Sequence, residues 1–544
     1  MRKVILTILA VALPAFASWS AGGVKVVETP DEIENPQMVY INDGSVVISW
    51  EADRLIYCQK LDTTGVIHWD ADGVRVCLSD SSQRDHHMVT DGQDVWFVWQ
   101  DERSDDGDIY VQKLSGSTGQ RLWGDQGKIV VKNTETQMTP RCALLEGGSL
   151  GVTCDDWALE PRGVSVQYLL PDGSLAWDST GLPLSIGSGW MGGNGYVVGS
   201  GSDLYVCWFG WNSDRGIFCQ KFSQAGDYLF DTTSTPDVYG TSLWNMADDA
   251  NKGCIVLFQQ NGRISAQRFD SLGNGLWGSN GLVLEKTTLS ELPLSLLPQE
   301  QVKYGLLSDS SGGCFAAWGN EIYAQHVDFE GHIYWNYGGL NVWHTPTGYP
   351  RAQNYLSIAY DGSGGIFIAW DDFGIDSAGT YPTGVLVQRI DKNETVRFLS
   401  NGLSIWLESG VLPHPIIRSV PGACIIAWHD SRNSPNASLY AQIVDTTGKI
   451  GSGIVEKPPS REQFNLEVDV NIVSDLVLLK YSLPSNETGG LRVFDATGRL
   501  VLLLEITQSK GMVTWNVSNT PCGVYFVQLT TNNSRVSRKV VVIK

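Results

Sequence analysis

The chain has 544 residues, among them 59 Gly, 20 Trp and 19 Tyr, with 18% charged residues and a formal charge of −21. Such a charge repels phosphate backbones and excludes nucleic acid as a natural partner, whereas divalent cations and neutral glycans are compatible with it. Many glycines and aromatics at low charge density suit short strands joined by tight turns, so an all-β protein is expected.

Residues 1–17 carry Arg2 and Lys3, an apolar run from Val4 to Leu13, and Ala15-Phe16-Ala17 as a small-x-small cleavage site. These are the features of a secretory signal peptide. The apolar run is too short to span a bilayer, and no later segment supplies the ~20 apolar residues a transmembrane helix needs. An exported monomer without a transmembrane segment, soluble or anchored by something other than a helix, is the expectation.

From there to Glu456 one pattern recurs: an aromatic closing an apolar run, then a Gln in a second apolar run, a Gly six or seven residues on, and an aromatic at ten or eleven. The copies are marked by Gln59, Gln112, Gln167, Gln220, Gln267, Gln325, Gln388 and Gln442. Their mean period is (442 − 59)/7, about 55 residues, somewhat above the 40 to 50 of common propeller repeats. The eighth copy lacks the downstream aromatic, having Ser452 in its place.

Each copy reads as four short strands; in the first they are predicted at 38–41, 45–50, 55–61 and 74–77. The second strand (VVISW, VWFVW, CIVLF, CFAAW, IFIAW, CIIAW) is apolar at nearly every position, so both of its faces must be covered. Hairpin-linked strands covered on both faces at a fixed period are the blades of a β-propeller. The opening GVKVV, Gly23 to Val27, matches the fourth strand of other copies, such as Gly73-Val74-Arg75-Val76, and can complete the last blade. Eight blades follow, unless Ile454-Val455 takes that place and leaves seven or an imperfect closure.

The cysteines sit at equivalent core positions: Cys58 and Cys219 precede the repeat Gln, and Cys254, Cys314 and Cys424 lie four residues before the repeat aromatic. They therefore read as mostly free, buried, small apolar residues.

Candidate chemistry is sparse. Gly147-Gly148-Ser149-Leu150-Gly151 fits a nucleophile elbow, but Ser149 aligns with Ser45 of an ordinary hairpin and no helix is predicted after it. The loop holding Asp101, Asp105, Asp106 and Asp108 offers the hard oxygen ligands Ca²⁺ accepts, against a plainer reading in which Asp101–Arg103 and Asp430–Arg432 pin equivalent loops. The loop after the second strand varies most between copies, as a binding face would. It gathers Asp155, Asp156 and Trp157, then Trp211 and Asp214, then Asp371, Asp372 and Phe373. Aromatics beside carboxylates suit sugar rings; the bland alternative is that these aromatics cap the wedges between blades.

After Glu456 the period stops. Residues 457–463 read as a linker, and 464–544 as a small immunoglobulin-like β-sandwich. Tyr481-Ser482-Leu483-Pro484, then Val493-Phe494-Asp495-Ala496-Thr497-Gly498-Arg499-Leu500-Val501, then Gly523-Val524-Tyr525-Phe526-Val527-Gln528-Leu529, and the ending Arg538-Lys539-Val540-Val541-Val542-Ile543-Lys544 resemble the type A C-terminal sorting domain of type IX secretion. The usual opening Pro-Asn-Pro is represented only by Pro458-Pro459. The resemblance implies a Gram-negative envelope, handling by the type IX secretion machinery, and release or attachment at the outer surface.

Three functional classes stay open at this stage. They are a binding or adhesion propeller for glycan or a surface protein, needing no cofactor beyond Ca²⁺; a glycan hydrolase or lyase on the same scaffold; and a structural surface component.

Overall fold

A computed structural model describes residues 19–20, 22–104, 107–160, 162–184, 193, 195–210, 216–230, 233–234, 242–260, 263–285, 304–319, 321–336, 338–343, 351–352, 355–374, 382–399, 401–409, 413–430, 432, 437–451, 465–468, 472–473, 476–483, 490–496, 498–506, 510–518, 520–530 and 535–543. The expected signal peptide and linker, and Ile454-Val455, lie outside the described residues. The chain divides into two compact units, Met1–Ile454 and Val455–Lys544.

The described residues of the first unit form eight antiparallel sheets, each a blade. Blade one runs outward through Glu34–Tyr40, Val46–Ala52, Leu55–Leu61 and Val74–Arg75. The third strand lies where the sequence predicts it. The inner strand starts four residues earlier than expected, its pairing carried past Asn35-Pro36 by a bulge between Glu34 and Gln37. The inner strands of blades two to eight are Gln83–Thr90, Gln137–Leu144, Tyr196–Ser200, Ser242–Asp248, Gly305–Ser308, Leu356–Tyr360 and Ile416–Val420. They pack in blade order, the eighth against the first, so the ring closes. Across that junction Arg418 Nε donates to Met38 O at 2.6 Å. Second strands such as Val46–Ala52 are buried at every position, covered by the neighbouring blade on each side.

The repeat Gln is a two-sided bracket. Its Nε2 donates to a carbonyl eleven or twelve residues on: Asp70 at 2.6 Å, Gly124 at 2.6 Å, Asp178 at 2.8 Å, Leu399 at 2.8 Å. Its Oε1 accepts the N–H of the downstream aromatic, 3.0 Å to Trp69, 3.1 Å to Trp123 and 2.8 Å to Phe398. The fixed Gln-to-aromatic spacing is thus the length of a loop tied at both ends, and a buried amide without these partners would cost about 1–3 kcal/mol. The aromatic then meshes with the next blade. A Cβ on Gly119, at φ +74°, would lie 3.1 Å from the Trp69 ring, so only glycine lets the ring approach.

Blade eight takes these parts from the other end of the chain. Val24–Thr29 pairs antiparallel with Ala437–Asp445, Val24 opposite Ala441 and Thr29 opposite Ala437. Gln442 Nε2 donates to Ser20 O at 2.9 Å. Trp19, 0% exposed, fills the slot that Ser452 cannot, packing against Gly65 of blade one and donating Nε1 to Thr63 O at 2.9 Å.

One cysteine expectation is corrected: Cys219 is not a free thiol but is disulfide-bonded to Cys207. The two are direct cross-strand partners in blade four, the slot held by Ser49 and Cys58 in blade one and by Val98 and Val111 in blade two. Seven other cysteines are free and buried, and Cys522 is free and exposed.

The C-terminal unit is a β-sandwich. A three-stranded sheet (Asn465–Val468, Leu476–Ser482, Lys510–Asn516) and a five-stranded sheet (Ile472–Val473, Arg535–Val542, Gly523–Thr530, Gly490–Asp495, Leu500–Glu505) enclose one core that includes Leu466, Leu479, Trp515, Leu491 and Val527.

Candidate functional site: the face where the inner strands begin

Inner strands begin, and second strands end, on one face of the ring: Glu34 pairs with Glu51, Gln83 with Asp101 and Gln137 with Asp156. Three inner strands and the approach to a fourth carry a non-glycine residue in the left-handed region here, Asn35 (φ 46°), Asp85 (φ 54°), Thr139 (φ 49°) and His414 (φ 43°). They belong to blades one, two, three and eight, which are neighbours in the ring. Each such residue costs on the order of 1–3 kcal/mol, and strain of this kind gathers at functional sites.

Between blades one and two this face opens into a cavity of about 540 Å³. Six carboxylates line it, those of Asp31, Glu32, Glu34, Glu51, Asp53 and Glu102, with the guanidiniums of Arg54 and Arg84. The turn Asp53-Arg54, both at positive φ, is held by Gln83 N donating to Arg54 O at 2.7 Å. Arg84 pairs with Glu102. Burial, reinforced by the charges of Glu32, Glu51 and Asp85, pushes the Glu34 carboxyl up. Burial acts on Glu51 too, but hydrogen bonds with His86 and Asn35 outweigh it and hold that carboxyl below its usual range.

Behind Glu51 lies an arrangement the sequence did not disclose. His86 Nδ1 is 2.6 Å from Glu51 Oε1, and His86 Nε2 is 2.7 Å from Ser49 Oγ, a Ser–His–Glu relay. Its geometry is that of a hydrolase triad, but its orientation is reversed. The carboxylate faces the cavity, while Ser49, 0% exposed, sits in the core 3.0 Å from Met88 Sδ. A serine with no path to substrate is a structural pin between two blades. Between the inner strands of blades two and three, His87 Nδ1 lies 3.3 Å from Cys142 Sγ. Burial, aided by the Arg141 charge, pushes His87 down to about 3, and burial pushes the Cys142 thiol up. The pair is therefore neutral, without the thiolate a nucleophile needs.

The residues predicted from sequence are spread round the ring. Asp155, half-buried, lies against Gly193. Asp156 is 0% exposed and occupied by Asn133 (2.6 Å), Gln137 (3.0 Å), Ser165 (2.7 Å) and Ala158 N (3.0 Å), so its carboxylate braces the blade. Trp157 is 40% exposed, with the Arg162 guanidinium 3.9 Å over its ring. Asp371 and Asp372 are buried, and Asp371 Oδ1 accepts Tyr355 N at 2.9 Å. These two groups stand on blades three and seven, opposite sides of an eight-membered ring, and do not form one platform. Trp211, Asp214 and the Phe373 side chain lie outside the described residues.

The proposed Ca²⁺ loop divides the same way. Asp105 and Asp106 lie outside the described residues. Asp108 is fully buried, with Lys132 Nζ 3.6 Å away. Asp101 is buried and accepts from Arg103 Nε at 2.8 Å and Nη2 at 2.6 Å, Trp99 Nε1 at 2.9 Å and Ser81 Oγ at 2.8 Å. Asp430 repeats this with Arg432 Nε at 2.8 Å and Trp428 Nε1 at 3.1 Å. The Asp–Arg pairs pin their loops. Ser149 sits at a hairpin turn, its carbonyl accepting Leu145 N at 2.9 Å.

The residues the sequence reading missed are the cations that follow the repeat Gln. Lys60, Arg268 and Arg389 pair with Asp43 (2.6 Å), Asp249 (2.9 Å) and Asp361 (2.8 Å) of the opposite face's hairpins. Each also donates to a carbonyl of the next blade, Gly116, Phe329 or Thr446. The Gln-Lys, Gln-Arg and Gln-His dipeptides in six of eight copies were the available signal.

No curated protein matches this chain. A Mycobacterium tuberculosis puromycin-hydrolyzing peptidase is similar at 13% identity over 77% of this chain and 61% of its own, with a TM-score of 0.41. A Lactobacillus plantarum protein is similar at 12% identity over 66% and 94%, TM-score 0.38. A fungal alcohol oxidase of the AA5 family, in complex with copper, is similar at 11% identity over 86% and 100%, TM-score 0.36. This chain spans about six tenths of the length of the peptidase and of a puromycin hydrolase. Among the described residues no helix is long and apolar enough to cross a membrane. Residues 458–544 match the family model described as "Secretion system C-terminal sorting domain". The C-terminal unit is such a sorting domain, and the chain ahead of it is an eight-bladed β-propeller exported by type IX secretion to the cell surface or the medium.

Proposed function

We propose that the exported propeller is a glycan-binding module whose ligand enters the cavity between blades one and two. The observation that carries this reading is the lining of that cavity. Carboxylates accept from sugar hydroxyls, guanidiniums donate to them, and about 540 Å³ lies within the usual range of small-ligand sites. The hydroxyl and thiol that resemble nucleophiles, Ser49 and Cys142, are buried, which favours binding over covalent chemistry.

A carbohydrate-active enzyme is the second reading, favoured by one observation. Glu34 and Glu51 share the cavity with their carboxyls pushed in opposite directions, the pattern of an acid and its partner.

The test is a glycan and polysaccharide array on the mature protein, with and without Ca²⁺, each hit then assayed for released sugar. Saturable binding without release, weakened in Glu34→Gln, supports the binding module. Release lost in that variant moves the assignment to the enzyme. Binding that ignores Glu34→Gln but is lost in Trp157→Ala moves the site to blade three. No binding at all refutes the glycan reading.

A further inference from the structure

We propose that the cavity between blades one and two recognises a ligand bearing a protonated amine, an amino sugar rather than a neutral or acidic one. The inference rests on the glycan reading and names the substrate class.

Its first support is the balance of hydrogen-bonding capacity on the walls. Six carboxylates face two guanidiniums, and one of these, Arg84, is already paired with Glu102. The surplus is acceptor capacity and negative charge. An ammonium group supplies the complement, three donors and one positive charge on a single atom.

A second, independent observation is Gln83, which also lines the cavity. Its side chain is fully buried; Nε2 donates to Ser79 O at 3.0 Å, while Oε1 is buried with no partner among the described residues. Such an atom ordinarily has one, since an unmet buried acceptor costs about 1–3 kcal/mol. The equivalent residue one blade on is Gln137. There Oε1 accepts Asn133 N at 3.2 Å, and Nε2 is shared between Glu135 O and Asp156 Oδ1. The same position is fully satisfied in blade three and leaves a buried acceptor unmet in a residue that lines the cavity.

The ligand is larger than a metal ion. Among the described residues, the groups that bring three ligand atoms within 4.8 Å of one another are Cys207, Cys219 and Cys254, and Asp328, Glu330 and His332. No trio of cavity carboxylates converges in this way, whereas Ca²⁺ needs six to eight oxygens at about 2.3–2.6 Å. The carboxylates are spaced round a volume. The site is also short of positive charge: after burial, the causes that push Glu34 and Asp85 up include neighbouring carboxylates, Glu51 for both.

The test compares β-1,4-linked glucosamine oligosaccharides with their N-acetylated counterparts of equal length, by calorimetry on the mature full-length protein, at a pH that keeps the amine charged. The expected result is that the amine form binds about tenfold tighter or better, with the preference shrinking in high salt and in Glu34→Gln. Arg54→Asn, at an exposed residue, should strengthen amine binding, the opposite of its effect on a neutral or acidic ligand. Equal or tighter binding of the acetylated form overturns the amine proposal and leaves the glycan reading standing. If array hits exist but neither oligosaccharide binds, the amine proposal is likewise overturned. If nothing on the array binds, both fail together. Amine binding indifferent to Glu34→Gln and Arg54→Asn removes the site from this cavity.

Discussion

Replacing Trp19 by alanine tests whether residues 19–29 hold a ring of more than four hundred. Trp19 is fully buried between blades eight and one, and its indole N–H is hydrogen-bonded to Thr63 O at 2.9 Å. A buried Trp→Ala change costs about 3–5 kcal/mol, and the lost hydrogen bond adds about 1 kcal/mol. The unfolding entropy of the ring, at ~2.1 cal/mol/K per residue over some four hundred residues, is about 0.9 kcal/mol/K. The variant should therefore melt about 5 °C below the parent if the ring unfolds as one unit. Trp335→Ala, which empties the same slot inside blade six, is the control. It should cost a similar amount, but only Trp19→Ala should also expose residues 24–29 to protease, because their pairing with Ala437–Asp445 is the seam itself. Thermal unfolding by circular dichroism and limited proteolysis read the two effects. A Trp19→Ala protein melting within about 1 °C of the parent, with residues 24–29 still protected, would refute the claim that Trp19 completes the eighth repeat.

Acid should loosen the ring through the hairpin carboxylates. Burial pushes Asp309 up, but hydrogen bonds from His326, Ser311 and Gly313 pull it down further, to about 2. A folded value below the unfolded one of about 3.9 means a contribution that is full above roughly pH 4 and lost as pH falls towards 2. The full shift corresponds to about 2.6 kcal/mol, which solvent screening of this part-exposed group reduces to on the order of 1–2 kcal/mol. The stability gap between parent and Asp309→Asn, from urea midpoints, should accordingly shrink as pH drops through that window; a gap constant with pH would contradict the assignment. Ser49→Ala should leave any hydrolytic activity unchanged and lower stability by about 1 kcal/mol, and an active-site fluorophosphonate should not label the parent. Labelling at Ser49 would mean that the buried relay opens to substrate.

What could be read from the sequence was whatever the ring repeats at fixed separation. The Gln-to-aromatic spacing survives because both side-chain atoms of the Gln are tied to one short loop, and Gly23 to Val27 was recognisable because it is a displaced copy of an outer strand. Trp19 was not, since the copy it serves ends 452 − 19 = 433 residues away and no local pattern links the two. The Cys207–Cys219 bond was hidden because each cysteine was compared with its equivalents along the chain rather than with its cross-strand neighbour. The cavity was invisible for a different reason. Glu34, Glu51, Arg54 and Arg84 come from two blades, on three different strands and one turn, and only a bulge at Asn35 and a left-handed turn at Asp53-Arg54 bring them to one opening. Of the sequence-predicted residues, Asp155, Asp156, Trp157, Asp371 and Asp372 lie at or just past the ends of second strands in blades three and seven, and a face eight blades wide does not gather them.

The shared eighth blade also limits how such a protein can grow. Its last sheet is closed by Val24–Thr29, and its last wedge by Trp19. A further repeat appended after Asp445 would find that edge already covered and would have no free strand to pair with. Copies can be gained or lost only between the first blade and the last, where Gly119, Gly173, Gly226 and Gly331 each receive the aromatic of the preceding blade. Gene duplication in this architecture must therefore work from the middle outward, with the two termini of the propeller inherited as a matched pair.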